Sequence, residues 1–148
     1  MMAKKIYYIN AKFQTYIELT NDYAASEKQE VIEAINYVPQ CQFEFGIGEN
    51  FLPLKGVACV GQVSSKEVGK LNEVSFEGWF RIDPKNWKNK VEEQMERLIK
   101  GESKLVFNNI TAGSFQFNAT NAKGKEVDNL PTEFDVTTTK PDGIEFDN

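Results

Sequence analysis

Between residues 4 and 19 the sequence Lys-Lys-Ile-Tyr-Tyr-Ile-Asn-Ala-Lys-Phe-Gln-Thr-Tyr-Ile-Glu-Leu alternates apolar and polar positions with a period of two. That period belongs to a pleated strand with one buried face; an amphipathic helix would repeat every ~3.6 residues. Tyr7, Ile9, Ala11, Phe13, Ile17 and Leu19 form the apolar face, and Lys4, Tyr8, Asn10, Lys12, Gln14 and Tyr16 the other. The spacing predicts a long strand, or a bent pair, over 4–19. A strand of this kind must join a sheet that covers one of its sides, so the chain is committed to a β-rich core.

The same signal recurs. Residues 42–47 place Phe43, Phe45 and Ile47 on one side, and the Gly-rich, Pro53-containing stretch 46–56 reads as a loop. Val57 to Val63 and Val74 to Ile82 read as strands joined by the polar connection Ser64 to Lys70. In the second of these, Val74, Phe76, Phe80 and Ile82 point inward, which sends Glu77, Trp79 and Arg81 outward. Lys104 to Ile110 and Phe115 to Ala119 flank Thr111-Ala112-Gly113-Ser114 as a hairpin, and Asn121 to Asn129 is polar turn material.

Two segments change period. Ser26 with Gln29 makes a capping box, Val31, Ile35 and Val38 share a helical face, and Pro39 stops it, which predicts a helix near 26–38. Asp83 as N-cap, Pro84 in the first turn, an apolar line through Trp87, Val91, Met95 and Leu98, and Gly101 at the end predict a second over 84–100. Its Glu92, Glu93 and Glu96 read as a solvated face with Glu93/Arg97 and Glu96/Lys100 pairs. The fold class expected is α+β, mainly β: a small antiparallel barrel or strongly curved sheet, similar to an oligonucleotide/oligosaccharide-binding barrel, with two helices.

Chemistry is constrained by what is missing. The chain has no histidine and only two cysteines, Cys41 and Cys59, both with apolar or aromatic neighbours, so zinc is not expected and the thiols read as buried and free. Histidine-based nucleophile systems are ruled out within the chain, and no phosphate-binding glycine motif occurs. We therefore expect no enzyme, no cofactor and no metal. No apolar run reaches membrane-span length and Met1 to Lys5 lacks a signal-peptide core, so the expected location is the cytoplasm, with no membrane partner.

Charge is segregated. Residues 1–125 hold 16 Lys+Arg and 15 Asp+Glu, and residues 126–148 hold one Lys and seven acids, which together give the net charge of −5 (+1 and −6). One domain over 1–130 and an acidic, flexible tail over 131–148 follow, with Phe134 to Thr139 able to add a last strand and disorder beyond Pro141. On the body, Lys4, Tyr8, Lys12 and Tyr16, together with Trp79, Arg81, Lys88 and Lys90, combine flat rings with cations. Rings stack on unpaired bases while cations follow phosphates, so the pattern suits single-stranded nucleic acid better than duplex.

A β-rich body followed by Asp142-Gly143-Ile144-Glu145-Phe146-Asp147-Asn148 resembles single-stranded DNA-binding proteins, phage types among them, in which a small barrel carries an acidic tail ending around a phenylalanine. The resemblance implies that the tail recruits replication and recombination proteins and competes with DNA for the binding groove, with Ile144 and Phe146 as the apolar plug and Asp142, Glu145 and Asp147 as the charges. It also implies a homo-oligomer. The same residues fit a rival reading, a self-assembling β-barrel structural or adaptor subunit of a phage tail or secretion tube, whose outward aromatics would be subunit contacts. A third reading, a barrel holding a small ligand or peptide inside, finds no specific polar anchor in the sequence.

Overall fold

The computed structural model describes residues 5–18, 25–37, 41–48, 52–54, 58–83 and 89–146. The element order is β1 (Tyr7–Ile17), α1 (Ala25–Asn36), β2 (Cys41–Ile47), β3 (Leu52–Leu54), β4 (Ala58–Val68), β5 (Leu71–Ile82), α2 (Asn89–Ile99), β6 (Leu105–Ala112), β7 (Phe115–Asn118) and β8 (Glu133–Thr137). The protein is α+β and mainly β. Among the described residues the strands form two antiparallel four-stranded sheets, ordered β4-β5-β1-β8 and β3-β2-β6-β7, and these do not close into a barrel.

The sheets meet through phenylalanine. Phe13 of β1 stacks on Phe107 of β6 at 4.1 Å between centroids and meets Phe43 of β2 edge-on at 5.1 Å. Phe76 and Phe80 of β5 lie 4.9 Å and 5.8 Å from Phe43. These rings, with Ile9, Ile17, Val74, Ile82, Ile47, Leu105 and Ile110, make one continuous core. The odd positions of β1 predicted to be apolar are buried from Tyr7 to Ile17; Leu19 lies outside the described residues.

One row of the first sheet has almost no side chains. Gly61 of β4 pairs with Gly78 of β5, which pairs with Ala11 of β1. A Cβ on Gly78 would come within 2.4 Å of the Val60 carbonyl oxygen and 2.5 Å of the Gly61 Cα; one on Gly61 would meet the Glu77 carbonyl at 2.5 Å. The two strands therefore approach more closely than side chains allow, and glycine at such a position lets a sheet bend.

Several sequence expectations need correction. The stretch 64–70 is not a connection: β4 and β5 continue to Val68 and Leu71, and only Gly69 and Lys70 turn, with Gly69 at φ +62°. The polar run misled because those residues sit at the far end of the hairpin, beyond the core. The loop assigned to 46–56 contains β3, which pairs with β2 through Ile47↔Leu52 and Phe45↔Leu54; its Pro53 is tolerated because β3 is an edge strand. In β6 the register with β2 skips Asn108 beside the Glu44/Phe45 irregularity, a bulge that turns both Phe107 and Ile110 into the core.

Helix α1 spans Ala25–Asn36 with Val31 and Ile35 buried, close to the predicted 26–38; Val38 and Pro39 lie outside the described residues. For α2 the described helix starts at Asn89, and Pro84 to Lys88, including Trp87, lie outside the described residues. Its end follows the expectation: Gly101 at φ +76° donates to the Leu98 carbonyl at 3.1 Å and Glu102 to the Arg97 carbonyl at 2.8 Å, a Schellman closure. Glu96 is not simply solvated. The fully buried Tyr7 donates its hydroxyl to Glu96 Oε1 at 2.6 Å, and Lys5 stands 3.7 Å from the same oxygen, so this carboxylate ties α2 to β1.

Candidate nucleic-acid interface

The core side of the first sheet is set by the odd positions of β1, so its even positions, and the residues opposite them, form the other face. The register makes this face a grid. Its rows across β4, β5, β1 and β8 are Ala58–Arg81–Tyr8–Thr137, Val60–Trp79–Asn10–Asp135, Gln62–Glu77–Lys12–Glu133, Ser64–Ser75–Gln14 and Lys66–Glu73–Tyr16. Tyr8, Lys12 and Tyr16 are thus brought together with Trp79 and Arg81 on one surface, although β1 and β5 are far apart in sequence. Lys4 and Lys88 lie outside the described residues, and Lys90 is described only as a backbone position in the first turn of α2.

The surface is not uniformly basic. Among the described residues its cations are Lys12, Lys66 and Arg81, and its carboxylates are Glu73, Glu77, Glu133 and Asp135. Lys66 stands 3.8 Å from Glu73, and Lys12 is flanked in register by Glu77 and Glu133. Sequence reasoning allowed Phe134 to Thr139 a last strand, which β8 forms at Glu133–Thr137, but counted its acids with the tail and so missed that two of them join this face. The alternation in Glu133-Phe134-Asp135-Val136 is the signal that could have found them, since Val136 packs on the core and Phe134 shares its parity.

Tyr8 is outward by register yet only 7% exposed. The ring of Phe146 lies 5.7 Å from the Tyr8 ring, tilted by 42°, and the Arg81 guanidinium carbon is 5.6 Å from the centre of the same ring. Such a cation–π contact is worth about 0.5–1 kcal/mol at an exposed site. Lys140 pairs with Glu145 at 3.6 Å just before it. The end of the described chain therefore folds back onto the aromatic–basic face, with Asp142 exposed and Ile144 half-buried; Asp147 lies outside the described residues. Trp79 and Tyr16 remain half-buried, and the Tyr16 hydroxyl accepts from Gln14 Nε2 at 3.0 Å.

The segment after β7 fastens this sheet to the other. Thr120 exchanges backbone hydrogen bonds with Tyr16 at 3.0 and 3.3 Å, Asn129 does so with Phe107 at 2.8 Å each way, and Thr132 donates to the Lys12 carbonyl at 2.7 Å. The Thr120 bonds hold the Tyr16 end of β1, which lies beyond its pairing with β8.

Cys41 and Cys59 are buried and free, and burial pushes the Cys41 thiol up to about 12 and the Cys59 thiol higher still, which makes both poor nucleophiles. Among the described residues no group of three or more Cys, Asp or Glu is placed to hold a metal ion, and no helix is long and apolar enough to cross a membrane. No protein-family model matches the chain, no curated protein is similar to it, and no solved structure matches its fold.

Proposed function

We propose that the protein is a non-catalytic, cytoplasmic single-stranded DNA-binding protein that uses the outer face of the β4-β5-β1-β8 sheet. The observation that carries this reading is the register, which lines up Trp79, Tyr8 and Tyr16 with Arg81 and Lys12 on one surface. Trp79 and the row of Tyr16 stand six residues apart along β5, about 20 Å, so two non-adjacent bases of one short strand can stack at these two positions. The position of Phe146 supports a competing tail: its ring occupies the place on Tyr8 and Arg81 that a base would take. DNA then displaces the tail, and the freed Ile144 and Phe146, with Asp142, Glu145 and Asp147, dock replication or recombination proteins. A homo-oligomer belongs to the same reading.

Stacking outweighs phosphate contact here, because the acids on the face offset its cations. Fluorescence anisotropy of a labelled thymine oligonucleotide tests the reading. Trp79→Ala is expected to weaken binding by about tenfold or more, the loss of one stacked base. Unchanged affinity in that variant overturns the stacking role of this face and moves the self-assembling subunit reading to first place.

A further inference from the structure

A depression of about 450 Å3 crosses β4, β5 and β1 and is bordered also by Asn36 of α1 and by Thr132. Lys12, Gln14, Gln62, Ser64, Ser75 and Glu77 line it, and none of them is used by the stacking scheme except Lys12. Resting on the single-strand reading, we infer that this depression takes the edge of a base and makes binding selective for guanine.

Lys12 and Glu77 are directly opposite on β1 and β5, and both are exposed. Opposed Cβ atoms on a sheet are about 4.5–5.5 Å apart, so an ammonium donor and a carboxylate acceptor are offered side by side. Trp79 lies two residues along β5 on the same face, about 7 Å away, within the span of a stacked purine and its edge. Splayed bases present their Watson–Crick edges to such groups.

Guanine alone carries two adjacent donors, N1–H and the 2-amino group, next to an acceptor, O6. The Glu77 carboxylate accepts both donors and the Lys12 ammonium donates to O6. Adenine and cytosine each offer one donor to the carboxylate, and thymine sets its single N3–H between two carbonyls that the carboxylate repels. With guanine bound, both partners remain hydrogen-bonded when water leaves.

The test compares labelled strands of thymine only with strands in which every fourth base is guanine, in lithium buffer to prevent four-stranded structures. The full-length protein is expected to bind the guanine-bearing strand about tenfold more tightly, in keeping with one bidentate base contact. Glu77→Gln, which replaces an acceptor pair by one acceptor and one donor, is expected to bring that ratio to about one, and Glu73→Gln on the same face to leave it unchanged. Equal affinity of the wild type for both strands overturns base selection while leaving single-strand binding in place. A ratio lowered equally by both variants overturns it too, since only the charge would then matter. Absence of binding to either strand overturns both readings together.

Discussion

The two faces of the first sheet are made from the same strands and obey opposite rules. On the inner face of β1, β4 and β5, phenylalanines interlock with those of the second sheet, and where rings are absent, at Gly61 and Gly78, backbones close up. On the outer face, three aromatics are spread among seven charges and a row of amides and hydroxyls. A side chain inside is replaceable only by one of its own volume, whereas one outside is free to serve a ligand. Stability therefore resides on one side of β1 and the proposed activity on the other.

Substitutions that cross this division are the way to break it. The largest expected effect is Phe13→Ala, which removes a ring in contact with Phe43, Phe76 and Phe107 and should cost about 3–5 kcal/mol in denaturant unfolding. Gly78→Ala comes next: its Cβ meets backbone atoms that cannot swing away, and about 1–3 kcal/mol of lost stability is expected in the same measurement. Trp79→Ala, adjacent to Gly78 but outward, should change stability by no more than about 1 kcal/mol while it weakens strand binding. If Trp79→Ala unfolds the protein, the two faces are not separable.

Salt and pH sharpen the same contrast. The described cations Lys12, Lys66 and Arg81 allow a slope of log affinity against log salt no steeper than about −2, at about −0.7 per phosphate; participation of Lys4, Lys88 and Lys90 would steepen it to about −4. The inner face responds to alkali. Burial raises the Cys41, Cys59 and Tyr7 groups, and Tyr7 is raised further by its bond to Glu96. The folded state holds these protons more tightly than the unfolded chain, so their contribution is complete below about pH 8.5 and is lost as pH rises above it. Unfolding free energy measured from pH 8 to pH 10.5 is expected to fall, and Tyr7→Phe should flatten the upper part of that fall.

Much of the fold was legible because period two is imposed by burial on one side of a strand. It gave β1, β5 and the two faces of each strand, with Tyr8, Lys12, Tyr16, Trp79 and Arg81 outward; that the strands are neighbours and so share this surface comes from the register. What escaped was non-local. Polar residues extend β4 past the core, the Asn108 bulge resets β6, and β3 is too short to show a period; each depends on a partner strand that sequence spacing does not reveal. The seat of Phe146 on Tyr8 belongs to the same class. The sequence marked both residues, and only the folded chain brings them together.

That contact is where the functional account is most exposed. Removing residues after Thr139 keeps β8 in the sheet and takes away Phe146 with three of the acids, so full-length and shortened proteins can be titrated against a labelled thymine oligonucleotide of about 30 bases at low and moderate salt. Salt-sensitive binding by both is expected, tighter for the shortened form because Tyr8 and Arg81 are uncovered. No binding by either form at low salt would contradict it.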